Sequence, residues 1–174
     1  SAFLIKRPEV LRKICSHGDV AHYLFHGETE DVDLGRISLQ CGRRNDALKL
    51  FLAWREIGDA GWARLIESYV GLADYLESTV NSHDKLEMRS QRDWSNVCFR
   101  YTVEGIDHND VNSQIRERLV KSGNFMVSKS NVNEDVILRA VIANPGVTKE
   151  SLDQFIIEVV KIGDEIIRGV PFNR

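Results

Sequence analysis

The sequence predicts an α/β fold whose C-terminal portion is α+β, an antiparallel sheet with helices on one face. Three observations carry this. Apolar residues recur at intervals of three and four from Trp62 to Val80, the spacing of one helix face. Two pairs of short runs, Lys85–Arg89 with Asn96–Thr102 and Phe125–Lys129 with Val136–Ala143, are each joined by a short polar link, which favours antiparallel pairing. The resulting order, helix, helix, strand, strand, helix, strand, strand, helix, suits a helical layer packed on one sheet face.

Ala2 to Ile5 is a short apolar run stopped by Lys6-Arg7 and reads as a strand end. Pro8 at the first helical position and Glu9 in the first turn open a short helix, because proline and negative charge are both favoured there. From Ser16 to Ser38, three glycines and the acidic cluster Glu28 to Asp33 interrupt every period. A long loop is predicted, and loops of that length in compact domains are functional or disordered. After Gly42, Leu48, Phe51, Leu52 and Trp54 fit a helix that Gly58 closes. Asp59 caps the next helix, the most strongly periodic in the chain.

The turn-prone Ser90 to Ser95 joins the first strand pair, and the polar Ser130 to Asp135 joins the second. Asn109 or Asp110 caps a helix that runs to Lys121 and closes at Gly123. Thr148 caps a final helix through Arg168, with Leu152, Phe155, Ile156, Val159 and Ile166 on its buried side. The predicted boundary is Gly58-Asp59, dividing residues 1–58 from 59–174.

Composition excludes several classes. The 23 Lys+Arg against 26 Asp+Glu leave a net charge of −3 over 174 residues, without the basic footprint of a nucleic-acid binder. No run of apolar residues is long enough to span a membrane, and no apolar signal region opens the sequence, so neither membrane insertion nor secretion is expected. Cys15, Cys41 and Cys98 are odd in number and widely spaced. This predicts a reducing, cytoplasmic setting with no disulfide framework.

Three features carry chemical potential. Cys15, His17, His22, His26 and Glu28 fall close together, but Gly18 and Gly27 break the helix that a His22/His26 metal pair requires, so no metal is expected. In Gln40-Cys41-Gly42-Arg43-Arg44, a glycine before a helix leaves free N–H groups beside two arginines. Such a terminus binds phosphate or carboxylate, or else it is a tight turn whose arginines pair with the acidic loop. Arg139 interrupts the otherwise apolar Val136 to Ile142. A charge there is either paired with an acid or aimed at a ligand carboxylate, which the planar guanidinium matches in bidentate fashion.

These features resemble one family in order and spacing. Ala21-His22-Tyr23-Leu24-Phe25, then Asp33-Leu34-Gly35, then Leu39-Gln40-Cys41-Gly42-Arg43-Arg44-Asn45-Asp46 are similar to motifs of the group II pyridoxal-phosphate (PLP) dependent amino-acid decarboxylases, in the glutamate and cysteine-sulfinate branch. Asn96-Val97-Cys98-Phe99-Arg100-Tyr101 and Leu138-Arg139-Ala140-Val141-Ile142-Ala143-Asn144-Pro145 resemble the same branch.

The resemblance implies an aspartate-aminotransferase-type (fold type I) enzyme. Residues 1–58 would end its large PLP domain, including the catalytic loop, and 59–174 would form its small C-terminal domain. It gives Tyr23 the role of a catalytic general acid that returns a proton to the substrate Cα after CO2 leaves. Arg139 is given the substrate carboxylate, and Gln40, Cys41 and Gly42 the PLP phosphate, across a homodimer interface. The family's PLP lysine follows a histidine, and none of the eight lysines here does. The resemblance therefore implies a piece of a larger chain, inactive alone, whose partners are the rest of the enzyme, a second subunit and an amino-acid substrate.

Departures touch the substrate. His22 stands beside the tyrosine where relatives carry a small residue, Arg100 replaces a common Trp, and the link from Ser128 to Glu134 differs. An acidic amino acid is the expected substrate, with diamino or aromatic ones as alternatives. A non-catalytic association module, presenting the helix from Trp62 to Val80, is the alternative from another class.

Overall fold

The computed structural model describes residues 5–15 and 44–171. The chain divides into two units, Ser1–Glu56 and Ile57–Arg174. In the first, α1 (Pro8–Ile14) carries its proline and Glu9 in the first turn and Arg12 and Lys13 in the last, a charge order that suits the helix dipole. The expected strand end at Ala2 and the loop from Ser16 to Ser38 lie outside the described residues.

Helix α2 spans Asp46–Asn81, with Gly58 inside it at φ 69° and ψ 168°. Only glycine occupies that region without strain. The expected stop at Gly58 is therefore present, as a break between two helical stretches. In the second stretch the apolar stripe is buried from Ala73 onward, at Ala73, Leu76 and Val80, whereas Ile66 is exposed.

The second unit holds a four-stranded antiparallel sheet of β1 (Leu86–Met88), β2 (Asn96–Tyr101), β3 (Ser128–Val132) and β4 (Asp135–Val141), in the order β1-β2-β4-β3. Two further helices complete it, α3 (His108–Ser122) and α4 (Lys149–Ile167). Alternation along the strands sends Val97, Phe99 and Tyr101 of β2 and Leu138 of β4 to one face. There they pack with Val111, Ile115 and Leu119 of α3, Phe155 and Val159 of α4, and the buried stripe of α2. Phe155 meets Phe99 edge-on at 6.1 Å between ring centres, a favoured aromatic arrangement.

Three boundaries differ from expectation. Helix α3 is capped by Asp107, whose carboxylate accepts from the N–H groups of Asn109 and Asp110. The two residues expected as caps are thus the ones being capped. Strand β3 runs through Ser130, Asn131 and Val132, which the polar pattern assigns to a link. Among the described residues it is an edge strand with β4 as its neighbour in the sheet, and edges tolerate polar side chains. The turn itself is Asn133-Glu134, both at positive φ, as a two-residue hairpin with matching twist requires. Phe125, expected in that strand, instead packs on Phe155 at 5.5 Å. Helix α4 begins as expected at Thr148, which exchanges hydrogen bonds with Ser151 in a capping box. No helix among the described residues is long and apolar enough to cross a membrane.

Candidate functional site

The site is built on the sheet face turned away from the core. Since Leu138 and Ala140 point to the core side, Ile137, Arg139 and Val141 point the other way. Arg139 and Val141 are exposed, so the charge in this apolar run carries no burial cost. The ion pair expected as the ordinary explanation of Arg139 is not formed among the described residues; no acidic side chain there reaches it.

Strand register surrounds Arg139 with short polar groups. Its cross-strand partner on β2 is Cys98 and on β3 is Ser128. Cys98 is buried and its thiol is directed at Asn96 Oδ1, 3.7 Å away. Such small neighbours leave the longer guanidinium standing clear of the sheet.

Next to this row lies a ring of four charges that sequence reading missed. Arg100 is the cross-strand partner of Glu87. Its Nε donates to Glu87 Oε2 at 2.9 Å and its Nη1 to Asp135 Oδ1 at 3.0 Å. Arg89 Nη1 donates to Glu87 Oε1 at 2.8 Å, and its Nη2 closes the ring on Asp135. Two guanidinium groups thus satisfy two carboxylates, and the ring is neutral. Burial pushes the Glu87 carboxyl upward, but the bonds from Arg100 and Arg89 outweigh it and hold Glu87 below the ordinary carboxylate range. Period-two alternation puts Glu87, Arg89, Arg100 and Asp135 on one face once the register of the strands is known.

On the core side of β2 a second polar group fixes the strand. Tyr101 donates its hydroxyl to Asp164 Oδ1 at 2.5 Å, and Lys85 Nζ binds both Asp164 oxygens at 2.8 and 2.7 Å. The fully buried Asn112 accepts from Tyr101 N–H at 2.8 Å and donates to Tyr101 C=O at 2.9 Å. Its amide serves the backbone just where the pairing of β2 with β4 has ended, at Phe99 and Leu138.

Among the described residues, ion pairs occupy three of the eight lysines. PLP needs an available lysine and a cradle of donors for its phosphate. Here Lys85 is bound to Asp164, Lys49 to Asp46 and Lys121 to Glu117. Tyr23, Gln40, Cys41 and Gly42 all lie outside the described residues, as do His17, His22, His26 and Glu28. Among the described residues no group of three or more His, Cys, Asp or Glu side chains is arranged to hold a metal.

Comparison with known proteins agrees with the motifs. Residues 1–102 match the pyridoxal-dependent decarboxylase conserved domain. Human cysteine sulfinic acid decarboxylase is 33% identical over 181 residues, an alignment covering 95% of this chain and 36% of that protein. The acidic amino acid decarboxylase GADL1 of Xenopus tropicalis is 29% identical, with 95% of this chain and 35% of that protein covered. The crystal structure of mouse CSAD superposes with a TM-score of 0.72 at 28% identity, covering 88% of this chain and 34% of that one. The chain thus spans little more than a third of the curated relatives it matches. It belongs to the group II PLP-dependent amino-acid decarboxylases, and its antiparallel sheet with helices is the α/β small-domain region of a fold-type-I member.

Proposed function

We propose that the chain is the C-terminal portion of a decarboxylase that releases CO2 from an acidic amino acid, and that Arg139 binds the substrate carboxylate. The observation that carries this reading is an exposed guanidinium in the middle of β4, in the Leu138 to Pro145 motif, with no acidic partner among the described residues. Arginine's planar fork binds a carboxylate through two parallel hydrogen bonds. A group held by a strand is also more precisely placed than one on a loop.

Residues 1–58 are assigned to the end of the large domain and 59–174 to the small domain, in a homodimer. PLP, when bound, accepts the electrons released as CO2 departs. Tyr23 would deliver the proton to the substrate Cα. Gln40, Cys41 and Gly42 would contact the cofactor phosphate, and no lysine of this chain would hold the cofactor covalently.

A substrate panel run on the whole decarboxylase tests the reading. L-cysteine sulfinate, L-aspartate and L-glutamate should turn over in preference to L-lysine and L-tryptophan, and Arg139→Ala should raise KM for the preferred acid. An unchanged KM returns Arg139 to a structural role. The present chain mixed with PLP should show no lysine-linked absorbance, and its appearance would overturn the assignment of the lysine.

A second reading is favoured by the consecutive exposed side chains Leu50, Phe51 and Leu52, with Trp54, on α2. An apolar surface of this kind marks a protein contact and suits a non-catalytic association module. Sedimentation of the chain with and without the N-terminal portion of the enzyme separates the two: the decarboxylase reading requires a complex that gains activity.

A further inference from the structure

The charge ring and Arg139 share one sheet face, and their arrangement bears on how Arg139 stays available. This step rests on the reading of Arg139 as a carboxylate binder. Cys98 is opposite Arg139, and Arg100 lies two residues beyond Cys98 on the same face. Arg100 and Arg139 are therefore diagonal neighbours, with Cα atoms about 7–8 Å apart. Asp135 stands on the same face of β4, four residues before Arg139, or roughly 13 Å along the strand. Arg89 joins the row from β1, since its N–H donates to the carbonyl of Cys98 at 2.9 Å.

Glu87 and Asp135 are thus the acids of this face nearest in register to Arg139, and both are engaged elsewhere. Arg100 binds the two of them at once, and with its side chain only 13% exposed it is held between them. Were it absent, Arg89 alone would face two carboxylates. The uncompensated negative charge would then compete with a ligand for Arg139 and repel the ligand's own carboxylate.

We infer that Arg100 is a positioning residue for Arg139: by holding Glu87 and Asp135 in ion pairs, it keeps Arg139 as the uncompensated cation of this sheet face among the described residues, open to a carboxylate from outside. The ring sets the field at the site without touching the ligand.

The test uses the PLP-loaded whole enzyme and a non-reacting probe, glutarate, with affinity read by calorimetry. Arg100→Met adds one net negative charge at about 10 Å and should weaken glutarate by roughly fourfold, given an effective dielectric between that of water and a protein surface. Adding Asp135→Asn to it should restore the affinity, and Arg100→Lys should keep most of it. Asp135→Asn alone should tighten glutarate, which keeps the proposal open to test even if Arg100→Met does not fold. Unchanged affinity in Arg100→Met, or a loss that Asp135→Asn does not reverse, makes the ring a structural clamp and overturns the proposal. Arg139→Gln separates the two levels. If glutarate does not bind the parent enzyme, or binds Arg139→Gln equally well, the reading of Arg139 falls and takes this one with it. If Arg139→Gln abolishes binding while Arg100→Met leaves it unchanged, only the role of Arg100 is lost.

Discussion

Gly163 of α4 packs against the ring of Tyr101, so close that a Cβ built on it would sit 2.6 Å from Cε2 and 2.7 Å from Cδ2. The same ring carries the hydroxyl that donates to Asp164, one residue further along α4. The absence of a side chain at Gly163 is what lets the helix approach β2 this closely, and the neighbouring carboxylate then fixes the tyrosine in place.

Gly163→Ala should therefore destabilise the chain despite alanine's better helix propensity. Propensity offers at most about 1 kcal/mol, whereas forcing a methyl into a packed core costs typically 1–3 kcal/mol. The tyrosine cannot swing away without losing its bond to Asp164. Urea unfolding should show a net loss of up to about 2 kcal/mol, and a stabilised variant would contradict the close packing.

Asn112→Leu should cost more. It removes the amide that serves both Tyr101 N–H and C=O in a fully buried setting. A buried backbone group left without a partner costs about 1–3 kcal/mol. We expect a loss of about 2–6 kcal/mol for the pair, read as a lower urea midpoint at unchanged m-value. Hydrogen exchange at Tyr101 should accelerate with it.

Acid sensitivity should trace to Asp164. Burial works to raise its carboxyl, but the bonds from Lys85 and Tyr101 outweigh it and hold the group below the ordinary value. A depressed folded-state pKa contributes stability above the unfolded value, about 3.9, and that contribution disappears as pH falls through the folded one. The stability gap between the parent chain and Asp164→Asn should be constant from about pH 7 to 5 and narrow below about pH 4. A gap that stays constant down to pH 3 would refute this.

Tyr23→Phe in the whole decarboxylase should remove most CO2 release while leaving cofactor absorbance intact, because only the phenolic proton is lost. General-acid contributions are commonly 10²–10⁴-fold. Turnover within a factor of two or so of the parent would assign the proton to another group.

The secondary structure of the second unit was largely legible in the sequence. The stops at Gly58 and Gly123 and the cap at Thr148 are local events, decided by residues within one turn. Strand β3 was misplaced because alternation marks a buried face, and an edge strand of serines and asparagine has little buried face to mark. Arg139 stood out because it interrupts an apolar run, yet whether it is buried, paired or exposed depends on the strands laid beside it.

What the sequence determined by itself was the order of helices and strands and, through separated motifs, membership of a decarboxylase family. Such signals are local, or are strings of residues in fixed order. Only the tertiary structure decided which charges meet. Glu87, Arg89, Arg100 and Asp135 are spread over 49 positions of the chain and become neighbours when β1, β2 and β4 take their register. Side-chain direction alternates with each residue, so a slip of one position would have sent these charges to the core face and the core to the other. Burial of Val97, Phe99 and Leu138 forbids that slip. The same hydrophobic packing that holds the sheet together therefore sets the charge ring beside Arg139.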